Sequence, residues 1–165
     1  MPLKNTKFRI FVDGSYDSEY KIGTIAYNMQ TVVNFEGRVI NVAVHNNIFA
    51  HKLTGCKHSF DAEISAIGLG FDTFRKIIGT YPILKKIPVR IKSDCMFAIT
   101  YITKGKLKEG IEIDKDCMDD LIYLRGMYLF LKDKYPNFKL SYIPSKNNLA
   151  HNNAYEMLKW ERSVK

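Results

Sequence analysis

The sequence predicts an α/β fold built on a mixed sheet. Three observations carry that expectation. The first third of the chain holds runs of strand-forming residues whose links are too short for a parallel crossover, so they pair antiparallel. Beyond them, apolar residues recur at helical spacing in two long segments. Between and after those segments stand two further short apolar runs, which helical crossovers place parallel in the same sheet.

The elements follow in order. Phe8-Arg9-Ile10-Phe11-Val12 reads as a strand that stops at the turn chemistry of Asp13-Gly14-Ser15. Lys21 to Met29 is a second strand and Val32 to Val39 a third. Val42 to Ala50 continues it or forms another, with Gly37 and Asn46-Asn47 as turn candidates. Ile64, Ile67, Phe71, Phe74 and Ile78 are spaced 3, 4, 3 and 4 apart, one face of a helix. Ser59 suits its N-cap, Asp61 its first turn, and Gly79 with Pro82 its end. Ile87–Lys92 is the next strand, followed by a short helix from Asp94 to Thr103 and a basic loop, Lys104 to Gly110. Cys117, Leu121, Leu124, Tyr128 and Leu131 mark a second long helix over 114–133. Phe138–Ile143 is the last strand, and a final helix starts at Asn147 or Asn148.

Composition narrows the function classes. The 165 residues, 46% hydrophobic and 25% charged, describe one globular domain over 1–165 rather than a disordered chain. Lys and Arg number 25 against 17 Asp and Glu, a net charge of +8 that favours a polyanionic partner. No apolar run approaches the length of a membrane span; Ile22–Tyr27 is among the longest. The N-terminus lacks an apolar signal core. Cys56, Cys95 and Cys117 are isolated and form no CxxC pair, which argues against a structural zinc site and for reduced thiols in a cytoplasmic setting.

Three acids stand at element ends. Asp13 closes the first strand, Glu63 lies in the first turn of the first long helix, and Asp94 closes the strand after it. Sites in open α/β sheets form outside the carboxyl ends of strands. If the two strands are neighbours, Asp13 and Asp94 meet at one rim, and the helix adds Glu63. Clustered carboxylates suit hard divalent cations such as Mg²⁺, and two such ions serve phosphodiester cleavage. Taken singly, each acid has an ordinary reading as a turn residue, a helix-dipole partner or an N-cap.

These segments resemble type 1 ribonuclease H. Phe8 to Ser15 is similar to that family's opening strand. Asp61-Ala62-Glu63-Ile64-Ser65-Ala66-Ile67 resembles its x-A-E-L-x-A helix, and Val89 to Cys95 its strand ending in (S/T)-D-S. The resemblance covers nearly the whole chain. It implies a five-stranded mixed sheet, three antiparallel strands followed by parallel additions, flanked by helices. It also implies a fourth metal-site position at the start of the last helix, usually Asp in N-x-x-A-D-x-L-A. Here His151 falls on that position, within Asn147-Asn148-Leu149-Ala150-His151-Asn152-Asn153-Ala154. A second register places Glu156 there, but carries Lys159 where a small residue is wanted. The wider superfamily includes Holliday-junction resolvases with His at this place.

The chain departs from the family elsewhere. The two Asn that read hybrid minor-groove edges are Ser59 and Phe60 here, and the long basic handle is replaced by the shorter Lys104-Gly105-Lys106-Leu107-Lys108 loop. Ser145-Lys146 replaces the G-H loop before the last helix.

The resemblance implies an endonuclease that uses two Mg²⁺ or Mn²⁺ ions to cut the RNA strand of RNA–DNA hybrids, leaving 3′-OH and 5′-phosphate ends. Asp13, Glu63, Asp94 and His151 would be its catalytic and metal residues. Gly14, Ser15 and Ser59 would contact 2′-OH groups, and Lys104, Lys106 and Lys146 phosphates. Two other readings remain open at this point: a structure-selective DNA endonuclease of junction-resolvase type, and a non-catalytic nucleic-acid-binding module. A monomer is the default expectation.

Overall fold

The computed structural model describes residues 6–35 and 38–164, and over 33–47 its backbone alone. Its order is β1 (Thr6–Asp17), β2 (Ile22–Phe35), β3 (Arg38–Leu53), α1 (Ser59–Thr80), β4 (Val89–Ser93), α2 (Met96–Lys104), α3 (Lys115–Lys134), β5 (Phe138–Tyr142) and α4 (His151–Ser163). The strands form one sheet in the order β3-β2-β1-β4-β5. β1–β2 and β2–β3 pair antiparallel, while β1–β4 and β4–β5 pair parallel. The sheet is mixed, as the sequence predicts, and has the five strands that the resemblance implies.

Side-chain alternation sorts the two faces. Phe8, Ile10 and Val12 of β1 join Ile25, Met29, Val89, Ile91, Phe138 and Leu140 in the main core, under α1, α2 and α3. The largest buried side chains, Phe71, Phe74 and Phe138, meet there, with Phe74 and Phe138 stacked at 4.6 Å. Phe11 points the other way and packs with Ala26, Ala150 and Ala154, where α4 crosses the sheet. Small residues allow that close crossing. The Thr24 hydroxyl, buried, donates to the Ala154 carbonyl at 2.7 Å. Ion pairs Arg162–Asp17 (3.1 Å) and Lys52–Glu161 (3.5 Å) fix the far end of α4.

Several expected boundaries shift. Asp13-Gly14-Ser15 is not a turn: these residues stay in the ladder opposite Ala26, Ile25 and Thr24. The turn comes later, where Asp17 Oδ1 accepts the N–H groups of Glu19 and Tyr20 and Lys21 adopts φ 52°. The runs read as second and third strands are largely one long strand, β2, because no turn chemistry separates Met29 from Val32. Asn46-Asn47 lies inside β3, where the register slips: Asn28 faces Ile48 and Gln30 faces Ala43. That bulge absorbs the Asn pair without ending the strand. Gly37 lies outside the described residues.

The helix starts are displaced as well. His58, not Ser59, caps α1, because Asp61 Oδ2 reaches back to the N–H groups of Lys57 (2.7 Å) and His58 (3.2 Å). Gly79 sits inside the last turn of α1, which runs on to Thr80. α2 begins at Met96 rather than Asp94; Ser93 Oγ takes the Cys95 N–H, so the Asp94 carboxylate is not used as a cap. A 3₁₀ turn over Ser145–Asn147 delays α4 to His151.

Candidate active site

The site grows from β1. Asp13 shares a face with Phe11, toward α4, and is only 4% exposed. Because β4 pairs parallel beside β1, Asp94 just beyond its end comes to the same rim. α4 enters over that rim. Asn148 fixes its start: the buried amide donates from Nδ2 to the Val12 carbonyl (2.9 Å), and its Oδ1 accepts the Ala150 N–H (3.2 Å). His151 then places Nδ1 2.7 Å from Asp13 Oδ2, with its side chain 49% exposed. One ligand atom from each of Asp13, Asp94 and His151 lies within 4.8 Å of the others. Glu156, from the alternative register, is exposed and pairs with Lys159 (3.4 Å) instead.

Glu63 approaches from the opposite layer, and Gly14 makes the approach possible. A Cβ on Gly14 would stand 2.3 Å from the backbone carbon and oxygen of Ala62 and 2.8 Å from the Glu63 nitrogen. Only a glycine lets the first turn of α1 press on β1 there. Glu63 is half-buried, lies outside the three-residue cluster, and accepts a hydrogen bond from the Cys95 thiol.

The electrostatics are those of crowded acids. Burial, then the negative charge of Asp94, pushes Asp13 up to about 7; the bonds from His151 and the Gly14 N–H pull the other way. Burial also raises Glu63, against the Cys95 hydrogen bond, and the charge of Asp94 adds to the rise. Burial and the Glu63 carboxylate push the Cys95 thiol far up, so it stays a neutral donor. Such a cluster is costly when empty of positive charge and suits an oxygen-seeking divalent cation. The donor set at this rim, carboxylates with one imidazole, fits that chemistry.

The other expected contacts are spread around the rim and beyond it. Ser15 lies in β1 opposite Thr24, Ser59 is exposed at the start of α1, and Lys146 is exposed in the 3₁₀ turn before α4. Lys104 and Lys106 are exposed where α2 gives way to its following loop, and Gly105 between them takes φ 71°. Phe60 turns inward, edge-on to Phe97 at 4.6 Å, and packs on the main core. Sequence reasoning missed Asn148 and Cys95 as positioning residues. Cys95 stands where the quoted pattern has a serine; Asn148 left no signal beyond a turn-forming residue type.

No family model matches the chain, and no curated protein matches it. Solved structures do. The LC11 ribonuclease H1 in complex with an RNA/DNA hybrid is 12% identical, with a TM-score of 0.60 over 90% of this chain and 94% of that one. The N-terminal ribonuclease H domain of a Mycobacterium tuberculosis protein, solved as a maltose-binding-protein fusion, is 15% identical, with a TM-score of 0.60 over 97% and 99%. A second structure of the same LC11 ribonuclease H1, which was isolated from compost, is 14% identical, with a TM-score of 0.53 over 92% and 91%. Among the described residues no helix is long and apolar enough to cross a membrane. The chain has the ribonuclease H-like fold.

Proposed function

We propose that this protein is a metal-dependent endonuclease that hydrolyses the RNA strand of RNA–DNA hybrids. The observation that carries the reading is the convergence of Asp13, Asp94 and His151 within 4.8 Å at the carboxyl ends of two parallel neighbours. Residues so far apart in sequence gather there at an electrostatic cost, which a structural role does not repay. The structurally similar LC11 ribonuclease H1, solved in complex with an RNA/DNA hybrid, supports the substrate class.

Asp13 and Asp94 would hold the ions from β1 and β4, Glu63 from α1. When bound, two divalent cations stabilise charge at the scissile phosphate and lower the pKa of water. His151 engages Asp13 through Nδ1, which leaves Nε2 for ligation or for carrying a proton. Cys95 and Asn148 orient their neighbours without touching substrate. Gly14, Ser15 and Ser59 would meet 2′-hydroxyls, and Lys104, Lys106 and Lys146 would neutralise phosphates, making affinity fall with salt.

His151 also supports a second reading, a structure-selective DNA endonuclease of the kind that uses His at this position. One experiment decides. An end-labelled RNA–DNA hybrid and a four-way DNA junction are incubated with the protein and Mn²⁺, beside the Asp94→Asn variant. Cutting of the RNA strand, absent in the variant, is the expected outcome. Cutting of the junction alone moves the substrate to branched DNA. Well-folded protein that cuts neither overturns the enzyme reading.

A further inference from the structure

A second group of metal-ligating side chains lies away from the carboxylate rim. His58, at the cap of α1, Asp61 in its first turn, Asp114 at the cap of α3, and Cys117 in the first turn of α3 each offer one donor atom. These four atoms all lie within 4.8 Å of one another. His58 Nε2 stands 2.5 Å from Asp114 Oδ2 and 3.8 Å from Cys117 Sγ, and Cys117 Sγ stands 2.9 Å from Asp61 Oδ1.

The carboxylates are oriented as metal ligands are. Asp61 spends one oxygen, Oδ2, on the backbone N–H groups of Lys57 and His58, and turns the other toward Cys117. Asp114 spends Oδ1 on the Cys117 N–H (2.8 Å) and turns Oδ2 toward His58. Anchoring one oxygen to fix the aim of the other is the outer-shell arrangement that tunes metal sites. His58 Nδ1 is buried without a hydrogen-bond partner, 3.7 Å from Asp61 Oδ2. A small inward turn of the ring would supply that bond, as a ligating imidazole requires.

We propose that His58, Asp61, Asp114 and Cys117 form a tetrahedral site for one Zn²⁺ that ties the start of α1 to the start of α3. A thiolate and an imidazole select zinc over magnesium, which separates this site from the carboxylate rim. Zinc bonds of about 2.0–2.3 Å put tetrahedral donors roughly 3.3–3.6 Å apart. His58 and Asp114 therefore move apart by about 0.8 Å and Cys117 and Asp61 by about 0.7 Å, shifts within the reach of side-chain torsions. Binding releases the Cys117 thiol proton to solvent. One thiolate and two carboxylates against Zn²⁺ leave a charge of −1, which the two converging helix N-termini favour. The sequence hides this site because its donors come from two distant helix starts rather than from a CxxC pair.

The test uses the full chain, freed of metal with a chelator and titrated with Co²⁺ as a spectroscopic stand-in. One equivalent of Co²⁺ is expected to give tetrahedral d–d bands and a near-ultraviolet thiolate charge-transfer band, both displaced by Zn²⁺. Cys117→Ser should abolish the charge-transfer band, and His58→Gln should weaken Co²⁺ binding by about 100-fold or more. Asp94→Asn should retain the thiolate charge-transfer band, since that residue touches only the other site. Circular dichroism reports whether each variant is folded; if Cys117→Ser is not, His58→Gln decides. No charge-transfer band at stoichiometric Co²⁺, or a band that survives in folded Cys117→Ser, overturns the proposal.

Discussion

Asp13→Asn should make the metal-free protein more stable, although it removes a central site residue. Asp13 is raised to about 7 in the folded state, from about 4 in an unfolded chain. Between those values the folded protein binds the extra proton, so stability falls as pH rises from about 4 to about 7 and is level above that. Three units at 1.36 kcal/mol each set the cost of the ionised carboxylate at no more than about 4 kcal/mol at pH 8. An Asn amide has nearly the same shape, carries no charge, and can keep a hydrogen bond to His151 Nδ1. Urea unfolding in EDTA, from pH 4 to pH 8.5, measures the difference directly. The variant should gain on the wild type as pH rises and match it near pH 4. Mn²⁺ should then stabilise the wild type and not the variant. A variant no more stable than wild type at pH 8, or a gap independent of pH, would refute the account of Asp13 as a strained buried acid.

Other outcomes follow from packing. Gly14→Ala puts a methyl group 2.3 Å from the Ala62 backbone and must push α1 off β1; a loss of about 1–3 kcal/mol by chemical denaturation is expected, with weaker Mn²⁺ binding as Glu63 is displaced. Asn148→Leu strands the Val12 carbonyl and the Ala150 N–H, at about 1–3 kcal/mol in urea unfolding, and, if the proposed function holds, should lower hybrid cleavage more than Mn²⁺-independent hybrid binding. Phe138→Ala empties the space between Phe71, Phe74 and Tyr128, and urea unfolding should show a loss of about 3–5 kcal/mol.

What the sequence made legible was local periodicity. Ile64, Ile67, Phe71, Phe74 and Ile78 announce α1, and all but the outer turns of α3 follow from Cys117 to Leu131, because one buried face repeats every turn. The continuity of β3 through Asn46-Asn47 was not legible, since the bulge there carries an Asn pair that looks like a turn. The acids at strand ends were visible as residue types at element ends. Their meeting depends on β4 adding beside β1 and on α4 returning across the sheet, which spacing does not encode. The contact between His151 and Asp13 spans 138 residues, and only a resemblance suggested it. Cys95 and Asn148 were invisible for the same reason: their partners are Glu63 and the Val12 carbonyl, on other elements.

The sheet ends in two unpaired flanks, and each is guarded differently. At the start of β5, the Lys132 ammonium from α3 donates to the carbonyls of Pro136 and Phe138, at 2.9 and 3.0 Å. On β3, the bulge between Ala43 and Ile48, opposite Asn28 and Gln30 of β2, breaks the even row of backbone groups that an incoming strand would need. A foreign strand would meet a positive charge on one flank and a kink on the other. The charge on one flank and the bulge on the other both work against the pairing of an added strand with this sheet.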